Sequence, residues 1–200
     1  MAVGKGTCWD PFYTETMHAH FTEHPPLGMI LESLFYRAFG DPFWVEKLYS
    51  LCVLLGTIAG MRLCWREISG IGGRKLESFL WAAVVPWILI TLWPWMYRNN
   101  MLENTLLLFC MWSVACIMRA ESLSAKQALP WYAGAVAALC AAFLSKGPFS
   151  LFPLAAPAIV SLVRDRRISL RSLGACAGLT VATAAVLFAL TLYDPIGANL

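Results

Sequence analysis

The feature that most constrains this chain is a series of long apolar runs, each closed by a short charged joint. A helix that crosses a bilayer needs about 20 consecutive, mostly apolar residues. Six runs come close: Leu48 to Cys64, Phe79 to Tyr97, Thr105 to Met118, Trp131 to Leu144, Phe149 to Val163 and Leu173 to Tyr193. The third, fourth and fifth are short, so they need flanking residues or a locally thin bilayer to cross. The second contains Pro86 and Pro94, which membrane helices tolerate because neighbouring groups re-satisfy the freed backbone. Trp65, Trp95, Tyr97, Trp131 and Tyr193 sit at run ends, as expected of rings at the headgroup level. Composition agrees. Hydrophobic residues make up 59% of the 200, charged residues only 14%, and the mean hydropathy is +0.63. One water-soluble core of this size could not bury that much apolar surface. The predicted fold class is therefore all-α, a polytopic membrane helix bundle of about six transmembrane helices.

Composition excludes other classes. A net charge of +3 is too small to point to nucleic acid. The seven cysteines include no Cys-x-x-Cys pair, and most lie inside apolar runs, where cysteine acts as a small hydrophobe.

The joints orient the bundle. Assigned alternately to two sides, one side collects Arg62, Arg66, Arg74, Lys75, Arg119, Lys126, Arg164, Arg166, Arg167 and Arg171. The other collects Lys5, Arg37, Lys47, Arg98 and Lys146, a division of 10 against 5. The acids run the opposite way: Glu67, Glu77, Glu121 and Asp165 lie on the basic side, and the other 8 of 12 face them. Because positive charge marks cytoplasmic loops, the basic side is expected inside. Residues 1–44, the Arg98–Asn104 joint, the Ser145–Pro148 joint and the C-terminus are then outside. Residues 1–44 form an extracytoplasmic segment, and 45–200 the helix bundle. Residues 1–20 show no charged stretch followed by an apolar one that would act as a signal peptide, so either a further membrane helix is expected upstream of Met1 or the topology is inverted; the charge bias favours the upstream helix.

Within the outer segment, His24-Pro25-Pro26 gives a rigid, extended start. Leu27, Ile30, Leu31, Leu34, Phe35 and Ala38 then recur at helical spacing, with Glu32 and Arg37 elsewhere on the turn. Gly40-Asp41-Pro42 ends the pattern. The reading is an amphipathic helix lying at the outer interface.

Three outer joints carry polar groups suited to chemistry. His18, His20, Glu23 and His24 supply three imidazoles and a carboxylate, donors that suit zinc or a similar divalent metal. Their spacing matches no compact zinc signature, and a polar loop with solvated histidines is the alternative. The second joint holds Arg98 and Glu103. Glu103 opens an apolar run, where a carboxylate is costly and marks function, or else serves the positive end of a helix dipole. The third is Ser145-Lys146-Gly147-Pro148. Its lysine suits a phosphate or anionic lipid, or snorkels as an interface anchor. Outer joints of a compact bundle can converge on one pocket. A carboxylate there would act as base on an acceptor hydroxyl, and the cations would stabilise a leaving phosphate.

Three strings, in order, resemble the GT-C class of membrane glycosyltransferases. Thr22-Glu23-His24-Pro25-Pro26-Leu27-Gly28 resembles the His-Pro-Pro-Leu signature of protein O-mannosyltransferases and the Glu-Lys-Pro-Pro-Leu segment of bacterial lipid A aminoarabinose transferases. The Arg98–Met101–Glu103 stretch is similar to the second outer motif of that class, and Phe143-Leu144-Ser145-Lys146-Gly147-Pro148 to its Leu-Thr-Lys-Gly-Pro turn. Together they cover about residues 1–165.

The resemblance implies sugar transfer at the outer face, from a polyprenyl-phosphate donor to a lipid, glycan or protein hydroxyl, by a multi-pass protein of the bacterial inner membrane. It casts Glu103 and Glu23 as catalytic carboxylates, and His24, Arg98 and Lys146 as donor-phosphate contacts. It places Glu23 near a metal and names no other cofactor; His20 and His18, by their chemistry, are the further candidate metal donors. The class also carries an acidic pair after its first membrane helix. Asp10 and Glu15 come too late for it, so that pair is expected before Met1, and the chain is expected to be a piece of a longer transferase. A transporter fragment would place ionisable residues in mid-span, and none of the six apolar cores holds one. A non-catalytic subunit that binds lipid or a partner is the remaining rival.

Overall fold

The computed structural model describes residues 25–72, 84–85 and 92–193. They are helical and include no strand. The elements are α1 (Leu27–Phe39), α2 (Trp44–Gly72), α3 (Leu92–Arg98), α4 (Leu102–Glu121), α5 (Ala125–Lys146), a 3-10 helix (Gly147–Ala155), α6 (Ala156–Asp165) and α7 (Leu170–Tyr193).

Four helical stretches among the described residues are long and apolar enough to cross a membrane: Trp44–Ser69, Leu102–Glu121, Ala125–Asp165 and Leu170–Leu192. They contain five of the six expected runs. Of the second run, Phe79 to Tyr97, only Val84, Val85 and the residues from Leu92 onward are described. Each helix extends beyond its apolar run. α2 continues through Arg66 and Glu67, and α4 through Arg119 and Glu121, because Arg and Glu are good helix formers that a hydropathy criterion ignores.

The 41-residue stretch Ala125–Asp165 is folded back on itself. Gly147 stands at φ +76, a left-handed conformation that glycine adopts without strain, and its N–H donates to the Phe143 carbonyl to end α5. Lys146 lies at the level of Glu103, the second residue of α4, whereas four residues later the Ser150 carbonyl already lies 3.7 Å from Cys110 Sγ, two turns further along α4. The 3-10 helix and α6 therefore run antiparallel to α5. Nine residues at 3-10 rise and ten at α rise extend about 33 Å, enough to match a bilayer core. The stretched rise resolves the apparent shortness of the fifth run.

α2 and α4 run parallel and approach closely. A Cβ on Gly56 would meet Leu108 at 2.7 Å, and one on Gly60 would meet Met111 Cβ at 3.1 Å. Small residues at such a seam let backbones come together where no hydrophobic effect drives helix association. The seam is pinned by Trp112 Nε1 donating to the Gly56 carbonyl at 3.0 Å. α4 and α5 form an antiparallel hairpin, and Ile117, Ala135, Ala156 and Leu179 make a core shared by α4, α5, α6 and α7. The outward surface stays apolar. Val181 and Leu192 on α7 are 69% and 71% exposed, a surface that suits lipid and not water.

The charged joints segregate to two ends. Glu32, Glu46, Lys47, Arg98, Glu103 and Lys146 lie at one, called here the acidic end. Arg66, Glu67, Arg119, Glu121, Arg164 and Arg171 lie at the other, the basic end.

Candidate functional site at the acidic end of the bundle

Helix α1 lies against α2 and against the adjoining ends of α4 and α5. It begins directly after Pro25-Pro26 and stops at Gly40, whose φ of +79 breaks the helix and whose N–H donates to the Tyr36 carbonyl at 2.9 Å. The expected apolar stripe divides in two. Leu31 and Phe35 pack on the Tyr49, Val53 and Tyr97 cluster, whereas Leu34 and Phe39 are each 50% exposed. Gly28 is buried, and a Cβ there would meet Leu102 Cδ2 at 2.8 Å, so the start of α1 sits directly on the start of α4.

Beneath α1, joints distant in sequence meet. Lys146 Nζ, from the last residue of α5, donates to Glu103 Oε1 in the first turn of α4. The side chains are 21% and 33% exposed, so the pair is largely withdrawn from water. Asn100 stands at φ +47, a conformation asparagine tolerates better than most residues. That turn points its amide two ways: Nδ2 donates to Glu32 Oε1 at 2.7 Å, and Oδ1 accepts from Ser50 Oγ at 3.1 Å. Lys47 Nζ donates to the Arg98 carbonyl at 2.6 Å and pairs with Glu46 at 2.8 Å. Deeper in, Asn104 is 1% exposed and donates Nδ2 to the Met96 carbonyl at 3.0 Å, tying α4 to α3.

Glu32 is the perturbed carboxylate. Burial, with a smaller push from Glu46, raises its pKa from 4.5 to about 7; the Asn100 hydrogen bond and Lys47 oppose that rise.

Of the residues singled out by sequence, Glu103 and Lys146 are brought into direct contact. Arg98 lies at the same end with its side chain exposed, and among the described residues no ion pair joins it to either. Glu23, His24, His20 and His18 lie outside the described residues. Among the described residues no group of three or more His, Cys, Asp or Glu side chains could hold a metal ion, and the six described cysteines are free thiols. Glu32, Asn100, Ser50 and Lys47 were not singled out as functional. Glu32 reads in the sequence as a polar-face residue of an amphipathic helix. The Asn99-Asn100 doublet before a helix was the one available signal for the left-handed turn that reaches it.

This chain matches no protein-family model, no curated protein and no solved structure.

Proposed function

We propose that this chain forms the core of a GT-C type glycosyltransferase that moves a sugar from a polyprenyl-phosphate donor to a hydroxyl of a lipid, glycan or protein. The observation that carries the reading is the Glu103–Lys146 pair. Two strings that resemble outer motifs of that class, 43 residues apart, supply the two charges of one contact at one end of an apolar bundle. Holding an ion pair largely out of water at the end of the bundle is costly, which supports a functional reading.

The chemistry follows from the two charges. The phosphate of a lipid-linked sugar draws the Lys146 ammonium away from Glu103. Glu103 accepts the proton of the acceptor hydroxyl, whose oxygen attacks the anomeric carbon. The bond from that carbon to the phosphate oxygen breaks, and polyprenyl phosphate leaves with the electron pair, stabilised by Lys146. Arg98, exposed at the same end, supplies a second cation for the phosphate. The start of α1 lies beside Leu102, the neighbour of Glu103, and the motif residues Glu23 and His24 directly precede Pro25-Pro26 in sequence.

A donor-dependent transfer assay on membranes carrying the native gene product tests this reading. Glu103→Gln and Glu23→Gln are each expected to lower the rate by about a hundred-fold or more, the scale of a lost general base. Wild-type rates in both variants reject the assignment.

A further inference from the structure

A cavity of about 390 Å³ opens at the basic end, remote from the acidic-end site, between α2, α4 and α5. Its apolar wall is Leu63, Ala115 and Cys116; Arg66, Arg119 and Trp131 form the rest, with Glu67 beside them. Both oxygens of Glu67 are engaged: Oε1 accepts from Arg119 Nη1 at 3.3 Å, and Oε2 from Ser122 Oγ at 3.2 Å. The Arg119 guanidinium also lies 6.0 Å from the Trp131 ring centroid. Arg66 is exposed, and its side chain makes no hydrogen bond among the described residues. The cavity thus joins an apolar wall, a net positive charge and a guanidinium that has no hydrogen-bond partner among the described residues, next to an indole of the kind found at headgroup level.

We propose that this cavity seats the phosphate headgroup of an anionic phospholipid from the leaflet that surrounds the basic end. A guanidinium fork matches two phosphate oxygens at once, and Arg119 can turn its remaining N–H groups to the same phosphate while Glu67 holds it in place. The glycerol and first acyl carbons then lie on Leu63, Ala115 and Cys116. A water-soluble phosphate ester offers the same charge and has no use for that wall. The proposal depends on the membrane reading alone and stands apart from sugar transfer.

The test is native mass spectrometry of the chain from nanodiscs of phosphatidylcholine containing graded phosphatidylglycerol. The wild type is expected to retain phosphatidylglycerol over phosphatidylcholine. Arg66→Gln, at an exposed position that should not disturb folding, is expected to weaken that retention by about ten-fold, the scale of one charge-assisted contact. Arg167→Gln, on the same end but outside the cavity, is expected to leave it unchanged. Equal retention in Arg66→Gln overturns the proposal, and so does equal loss in Arg167→Gln, which would mean diffuse surface charge. Displacement by millimolar glycerol phosphate would also overturn it, in favour of a soluble ester.

Discussion

Lys146 and Glu103 pair across α5 and α4 with 21% and 33% of their side chains exposed, and α1 packs against that end of the bundle. At the opposite end Arg119 and Glu67 pair across α4 and α2, and the arginine side chain is 46% exposed beside an open cavity. Both pairs join helices at a membrane boundary. The first is the more shielded, so its attraction is screened less by water and salt. The second is open on its Arg119 side, while Glu67 is 21% exposed, so water and salt weaken it more than the first. Under the two proposals, the first pair serves the transfer chemistry and the second borders the lipid site.

Substitutions at glycine set the scale for packing against which both pairs are measured. Gly60→Leu forces a side chain into the α2–α4 seam, where Met111 Cβ and backbone already stand at 3.1 and 3.5 Å. A loss of about 1–3 kcal/mol is expected, read as a lower thermal midpoint in detergent. Gly174→Leu on α7, where an added Cβ meets nothing within 4 Å, should leave the midpoint unchanged.

A double-mutant cycle addresses the pairs directly. Removing Lys146 and Glu103 singly (Lys146→Met, Glu103→Gln) and together should return a coupling of about 1 kcal/mol or more, nearly insensitive to salt. The same cycle on Arg119 and Glu67 should return about 0.5 kcal/mol or less, falling as salt rises. Equal couplings would erase the contrast between the ends.

Glu32 gives a pH signature confined to the acidic end. Its pKa is raised to about 7 in the folded chain, so the folded state holds a proton that the unfolded chain releases near 4.5. The docking of α1 is thus firmest below 4.5 and weakens as pH rises through about 7. Protection of the α1 amides, with the intrinsic pH dependence of exchange divided out, should fall over that window in the wild type. Glu32→Gln should flatten the response, while protection at the basic end changes in neither protein.

Much of the bundle is legible in the sequence. Five of the six apolar runs fall on α2, α4, α5, α7 and the segment from the 3-10 helix to α6, and the charged joints of the described residues segregate to two ends. The hydropathy pattern could not show that Gly147–Ala155 is a 3-10 helix, because a run of apolar residues reads alike at either rise. At the site, Glu103 and Lys146 could be placed on the same side from the order of the joints. Their contact could not, since pairing across 43 residues depends on how α4 and α5 pack. Glu32 stayed hidden for a related reason: a carboxylate on an amphipathic helix reads as solvated until a neighbour such as Asn100 is seen to face it.

The most direct test compares the two ends in one preparation. Donor-dependent sugar transfer is measured for the wild type, Lys146→Gln and Arg66→Gln. The account predicts that Lys146→Gln loses about ten-fold or more of the rate, while Arg66→Gln keeps it in a lipid mixture of fixed composition. Transfer at the wild-type rate in Lys146→Gln would contradict the placement of the reaction at the acidic end.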